Sequence, residues 1–205
     1  MDAALRAGIA IHNAGHHHAA HDAWEDEWLA LDDGSDERLL HGLVQFTAAV
    51  HHARNRNWTG AVGLCESARE YLADLPADYR GVNVGAVRGY LGRLGDDPER
   101  VEREPVLALT LDGDELALAD LDAPAAVEAA VVLAAHHGYD DAAFEAAAEY
   151  ARDGLADGEY NEFAALLCDF AAGDAQRALV ATRLGQHVQR RQRREDDVAG
   201  LFDES

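Results

Sequence analysis

His21, Glu25 and Trp28 stand at i, i+4 and i+7 within the stretch His12 to Trp28, HNAGHHHAAHDAWEDEW. A helix puts residues at those steps on one face, so an imidazole, a carboxylate and an indole share it. A second stretch, Leu40 to Ala61, LHGLVQFTAAVHHARNRNWTGA, carries Gly42, Gln45, Ala49 and His52 at similar steps. Two such helices side by side set one polar stripe against another. Four chemistries suit the pairing. The first is a buried hydrogen-bond network of His21, Glu25, Trp28, Gln45, His52 and Asn57, with Gly42 and Ala49 letting the backbones approach; a satisfied network of this kind specifies one packing. The second is a metal centre, because His21, Glu25 and His52 make a plausible three-ligand set for zinc or a similar divalent ion. The HExxH and paired ExxH patterns of known helical metal sites are missing. Neighbours in the run His16-His17-His18 point about 100° apart on a helix, so all of them cannot aim at one ion. The third is acid–base catalysis with Glu25 as base and a histidine as acid. No Gly-rich phosphate loop, serine nucleophile motif or thiol dyad accompanies it, so catalytic residues stay unassigned. The fourth is a binding groove lined by Trp24, Trp28 and Trp58. The sequence favours a structural or ligand- or protein-binding module that needs no cofactor, with a metal-binding protein or metal-dependent hydrolase as the alternative.

The elements that must position these groups are helical. Asp2 to Asn13 reads as a short helix, broken at Asn13-Ala14-Gly15, and the second helix runs to about Leu31. The loop from Asp32 to Asp36 ends in N-cap chemistry. The helix that follows, Glu37 to about Arg54, is apolar nearly all round at Leu39, Leu40, Leu43, Val44, Phe46, Thr47 and Val50, which makes it the central one. Because its link to the preceding helix is short, the two should run antiparallel, with Trp28 near Gly42, Glu25 near Gln45, and His21 near Ala49 or His52. Helices at Gly60 to Leu75 and Val82 to Leu94 follow. The period then changes: VLALTLDGDELALA, Val106 to Ala119, alternates on both sides of Asp112-Gly113 and predicts a hairpin. From Pro124 the chain is helical again, in segments Pro124–His136, Asp140–Gly154, Glu159–Ala172 and Asp174 to about Arg194, with the last eight or so residues frayed. The fold expected is mostly α, an array of antiparallel helical hairpins with one small β-hairpin between the halves. Its parts are a helical domain over 1–95, a connector with the hairpin over 96–123, and a helical region over 124–205 packed on the first half. Leu43, Phe46, Val50, Leu64 and Leu72 are the expected core of the first half, and Leu133, Phe144, Leu166 and Leu179 of the second.

Composition bounds the setting. The chain has 39 acidic residues against 17 basic ones, a formal net charge of −22, and no lysine at all. With 48% apolar residues in regular patterns it is foldable rather than disordered. Such charge is tolerable where molar salt screens it within about 3 Å, so we expect a folded protein of a very salty cytoplasm. An acidic surface disfavours nucleic acid and anionic membranes as partners, and leaves counter-ions, a protein partner or a second copy. The basic cluster Arg190, Arg191, Arg193 and Arg194 reads as the C-terminal turns of a helix, where cations complement the dipole. Cys65 and Cys168 lack CxxC spacing and read as free thiols. No signal peptide and no run of membrane-spanning length is visible, so a cytoplasmic location is expected.

The two opening stretches resemble the family catalogued as domain of unknown function 309, small all-helical proteins. Its first motif, roughly N-x-G-x-Y-F-E-A-H-E-x-x-E-x-x-W, is met by Asn13, Gly15, Ala20, His21, Glu25 and Trp28, with Asp22 for the second glutamate. Its second, roughly G-L-I-Q-x-A-x-x-x-x-H followed by G-N-x-x-G-A, is met by Gly42, Leu43, Val44, Gln45, His52, Asn57, Gly60 and Ala61. The departures are His17-His18 for the Tyr-Phe pair, Ala19 for the first glutamate and Arg56 for the glycine before Asn57. The likeness spans about Asp2 to Gly95. It implies a helical fold but no reaction, and the lysine-free composition suggests a member from a halophilic archaeon.

The charge generates a first prediction. Thermal melts in about 0.1 M and about 3 M KCl should differ, the midpoint rising steeply with salt as screening shortens; equal midpoints would remove the halophilic reading.

Overall fold

The computed structural model describes residues 1–200. Among them nine α-helices are found: α1 (Asp2–Asn13), α2 (His17–Ala30), α3 (Ser35–Arg54), α4 (Trp58–Leu72), α5 (Val84–Asp96), α6 (Ala123–His137), α7 (Asp141–Ala156), α8 (Glu162–Ala172) and α9 (Arg177–Gly200). Between α5 and α6 lie a 3-10 helix at Pro98–Glu102 and an antiparallel pair, β1 (Thr110–Leu111) and β2 (Asp114–Glu115). The fold is therefore mostly α with one small hairpin between helical halves. None of these helices is long and apolar enough to cross a membrane. The chain divides into two compact units, Met1–Leu121 and the chain from Asp122 onward.

In the first unit α3 is the hub. Leu39, Leu40, Leu43, Val44, Phe46, Ala49, Val50 and Ala53 are all buried, because α3 is flanked by α2 and α4. Gly42 and Gly8 permit close approaches between helices. A Cβ on Gly42 would run into the Leu72 side chain, so this glycine admits α4 and not α2, where the sequence had placed its role. A Cβ on Gly8 would collide with the indole of Trp24. Trp24 is consequently fully buried against α1, its Nε1 donating to the Leu5 carbonyl at 3.4 Å, and it lines no groove with Trp28 and Trp58. The α3 N-cap is Gly34, with no side-chain cap, rather than an Asp or Ser.

The hairpin turns on Asp112 and Gly113, both with positive φ, as a two-residue turn between twisted strands requires. It pairs over two residues on each strand only, so its hold comes from outside. Asn13 donates to the Leu109 and Leu116 carbonyls and accepts from Leu109 N–H, all at 2.9–3.0 Å. Asn83 does the same for Ala108 and Thr110.

The second unit packs α6 on α7 and α8, and α9 on α7 and α8. Asp122, Asp140 and Asn161 cap three of these helices with side-chain oxygens. Leu133, Phe144, Leu167 and Phe170 are buried in its core, with the Phe144 and Phe170 rings 4.5 Å apart. Expectation and structure part at two leucines here. Leu166 is only partly buried while its neighbour Leu167 is buried, and Leu179 is 52% exposed. Asp174–Gln176 forms a 3-10 turn, so α9 begins at Arg177 with a different phase, and Val180, Leu184 and Val188 face inward instead. In the first unit Leu64 is likewise half-buried, with Cys65 taking the inward place. The arginines 190–194 sit inside α9, not at its end. Arg191 pairs with Glu195 at 2.6 Å, and such i, i+4 pairs let the helix run on to Gly200. The end of the stretch expected to fray, residues 201–205, lies outside the described residues.

These burials separate two substitutions of the same kind. Leu43→Ala should cost about 2–5 kcal/mol in denaturant unfolding, and Leu179→Ala no more than about 0.5 kcal/mol. The reverse ranking would show the helical phases to be wrong.

Candidate functional site: a histidine-lined cleft between α2 and α3

The turn from α1 to α2 is tight. Ala14 closes α1, Gly15 takes φ +90°, and α2 begins at His17. The last turn of α1 therefore delivers His12 beside the first residue of α2, His17, and their Nδ1 atoms are 3.1 Å apart. His12 is 2% exposed and His17 6%. On its other side His12 Nε2 lies 2.8 Å from the Leu107 carbonyl oxygen. Burial drives His12 down to about 4 and His17 to about 3; the Leu107 bond works the other way for His12, and His12 itself adds to the lowering at His17. Both rings are thus neutral at neutral pH.

Neutrality fixes the protons. A carbonyl oxygen only accepts, so His12 carries its hydrogen on Nε2 and presents a lone pair at Nδ1. His17 must then donate from Nδ1, which leaves a lone pair on His17 Nε2. That atom is buried and has no hydrogen-bond partner among the described residues.

His17 lines a cavity of about 270 Å³ together with His18, His21, Thr47, Ala48, His51 and His52. One wall is the first turns of α2 and the other the last turns of α3, so the two helices run antiparallel here. Thr47 has spent its hydroxyl on the Leu43 and Val44 carbonyls, at 3.2 and 3.0 Å. His18 and His51 rings meet edge-on, 5.3 Å apart. Burial lowers the His51 pKa, helped by His18, His52 and His21. Outside the cavity, His18 Nδ1 lies 3.3 Å from Asp22 Oδ2, and His21 Nε2 lies 3.7 Å from Glu25 Oε1. His21, Asp22 and Glu25 also offer three donor atoms within 4.8 Å of one another, the one such group among the described residues.

The stripe read from the sequence is distributed between this cleft and the opposite end of α3. His21 and His52 line the same cavity, and Glu25 reaches His21. Gln45 is half-buried and lies outside the cavity lining. Asn57 caps α4, accepting from Gly60 N–H at 3.2 Å, while its amide nitrogen lies 2.6 Å from His52 Nδ1. Trp28 belongs elsewhere: its Nε1 donates to Glu37 at 2.9 Å and its ring stands 4.1 Å from His41, which stacks on Tyr71 at 3.6 Å. The polar face is also not sealed, since the side chains of His21 and Glu25 are 27% and 46% exposed; α3 is too apolar at its centre to cover them.

His12, His17, His18 and His51 carry no role in the sequence reading. A signal existed for His17: it stands at i, i+4 from His21, the spacing that brings two imidazoles to one helix face. Nothing local announced His12 or Leu107.

Two comparisons with known proteins bear on this chain. The family model described as "Domain of unknown function (DUF309)" matches residues 5–64, the stretch from α1 into α4. An "Uncharacterized protein" of Aquifex aeolicus (strain VF5) is 26% identical over 93 residues, covering 42% of this chain. That match spans 28% of the relative's own length. Neither description assigns an activity.

The buried pair makes stability depend on pH. Both folded-state values, about 4 and about 3, lie below the ordinary 6.5. Between those limits the unfolded chain binds protons that the folded one does not, so stability falls as pH drops below about 6.5. Urea midpoints measured from pH 7.5 to 5.5 should fall, and less so in His17→Phe. A wild-type midpoint that is flat or rises would contradict the neutral pair.

Proposed function

We propose that the first unit is a metal-binding helical module and that a divalent ion of the zinc class sits in the cleft between α2 and α3. The observation that carries this reading is the Nε2 of His17, a buried lone pair on a neutral ring lining a cavity, with no donor to meet it. Leaving such an acceptor unsatisfied costs about 1–3 kcal/mol, and an entering cation recovers that. His17 and His21 supply the first two donors, one turn apart on α2. His17 has its other ring nitrogen engaged by His12, and Glu25 Oε1 stands 3.7 Å from His21 Nε2; outer contacts of this kind orient metal-bound imidazoles. His51 and His52 stand on the facing wall. Glu25 stands beside His21, while His52 accepts the Asn57 amide hydrogen at Nδ1 and so carries its own on Nε2; of the set His21, Glu25 and His52 the centre therefore takes His21, and it adds His17.

An imidazole set suits zinc, copper(II), nickel or iron(II) rather than magnesium or calcium. The thiols do not contribute: burial pushes Cys65 up to about 12, and Cys168 belongs to the second unit. No reaction is assigned to the centre. The charge of −22 and the lack of lysine support a salty cytoplasm as its setting.

Elemental analysis and zinc titration calorimetry on the full chain, purified without a His-tag, test the reading. The expected result is about one ion per chain. Glu25→Gln should weaken binding about 10–100-fold, as loss of an outer partner does, and His17→Ala at least as much. A protein that takes up no zinc is a hydrogen-bonded histidine cluster around water, and overturns the proposal. Zinc held equally well by His17→Ala would move the ion to the rim group His21, Asp22 and Glu25.

A further inference from the structure

The cleft has a back wall that the family-like stretch does not contain. His12 is not a lining residue, yet it touches both His17 and the carbonyl of Leu107. Leu107 lies 95 residues away in sequence from His12 and outside the matched residues 5–64. We propose that His12 is a positioning residue of the cleft and that the Leu107 carbonyl is the fixed end of a relay, Leu107 C=O to His12 to His17, which holds the lone pair of His17 on the nitrogen offered to the metal. This rests on the metal reading given above and adds to it a residue and a backbone group that set which nitrogen binds.

The relay works because each member has one choice. The carbonyl can only accept, so it takes the Nε2 hydrogen of His12. His12 then accepts at Nδ1 and obliges His17 to donate there. Without the carbonyl, His12 could carry its hydrogen on either nitrogen. In one of the two cases His17 would have to accept at Nδ1, and its Nε2 would bear a hydrogen that excludes a metal. The carbonyl is itself held in place. Asn13, the residue after His12, makes hydrogen bonds of 2.9, 3.0 and 2.9 Å to Leu109 O, Leu116 O and Leu109 N. Asn83 grips Ala108 O and Thr110 N at 3.2 and 3.1 Å. The segment around Leu107 is thereby fastened to the end of α1 and the start of α5. The connector between α5 and the hairpin thus serves the centre as its outermost support.

Two amide replacements of His12 separate positioning from simple packing. Asparagine puts its oxygen near the place of Nδ1 and can accept from His17. Glutamine puts its amide near the place of Nε2, keeping the bond to Leu107 and offering His17 nothing. In zinc titrations of the full chain, His12→Gln should bind about 10–100-fold more weakly than wild type, and His12→Asn should recover most of the difference. Cobalt(II) absorption should report the same ranking at the metal itself. Nitrogen-15 shifts of the His17 ring, read without metal, should give the Nδ1–H form in wild type and His12→Asn, and a mixture in His12→Gln. Circular dichroism melts show whether each variant is folded. Should either fail to fold, the wild-type ring shifts alone decide: a hydrogen on His17 Nε2 overturns the relay. Zinc affinities that ignore His12, or that fall equally in both folded variants, overturn it as well. Absence of zinc binding in wild type would instead sink the metal reading, and this inference with it.

Discussion

A helix that is apolar on nearly every side has to be surrounded, and the first unit is what surrounding α3 entails. Its middle turns carry Leu43, Val44, Phe46, Ala49 and Val50, all buried. Water cannot reach these turns, so polar groups there would go unsatisfied at a cost of a few kcal/mol each. Polar chemistry is pushed to the two ends of α3. One end receives Glu37 and His41, the other His51 and His52. Because α2 runs antiparallel to α3, Trp28 is delivered to the first cluster, and His17, His18 and His21 to the second.

The two clusters differ in how far their polar atoms are matched. At the start of α3, Glu37 Oε1 accepts from Trp28 Nε1 at 2.9 Å and lies 3.1 Å from His41 Nδ1, while His41 is stacked between Trp28 and Tyr71. The carboxylate is met by two donors, and the rings pack on one another. At the end of α3 the histidines meet a cavity, the carboxylates of Asp22 and Glu25 stand outside it, and one buried lone pair is left over. A fully matched cluster rigidifies a fold; one left with an unmatched buried acceptor is incomplete without something else.

What could be read in the sequence follows from which interactions are local. The helices show because their apolar period is local, and the hairpin because Asp112-Gly113 dictates its own turn. The burial of α3 shows because its middle turns are apolar nearly all round. For the same reason its rotation does not show: an all-round apolar helix gives no clue which neighbour Gly42 admits, and the neighbour is Leu72 of α4. Trp24 hides in the same way, since only the missing Cβ of Gly8 in another helix makes room for it. The phase of α9 is lost because three residues, Asp174–Gln176, are wound as a 3-10 turn, and 3-10 winding advances each residue by about 120° instead of 100°. At the site, His21, Glu25 and His52 are visible by spacing. His17 was masked by its neighbours in a three-histidine run, and its partner His12 stands across a turn that only the fold closes. The Leu107 carbonyl has no sequence signature, because any residue supplies one.

The choice of imidazole for the cleft has a physical reason in a chain of this charge. With 39 acidic residues available, carboxylates would be the obvious cation ligands, but a buried one without a cation is an unpaired charge. An imidazole can be buried neutral and still offer a lone pair, as His12 and His17 do. Selectivity points the same way. Hard cations bind nitrogen poorly, so for the ion proposed above a neutral imidazole held by a second one would discriminate where the many exposed carboxylates would not. Asp22 and Glu25, at the rim, would then balance the charge of such a dication from the solvent side.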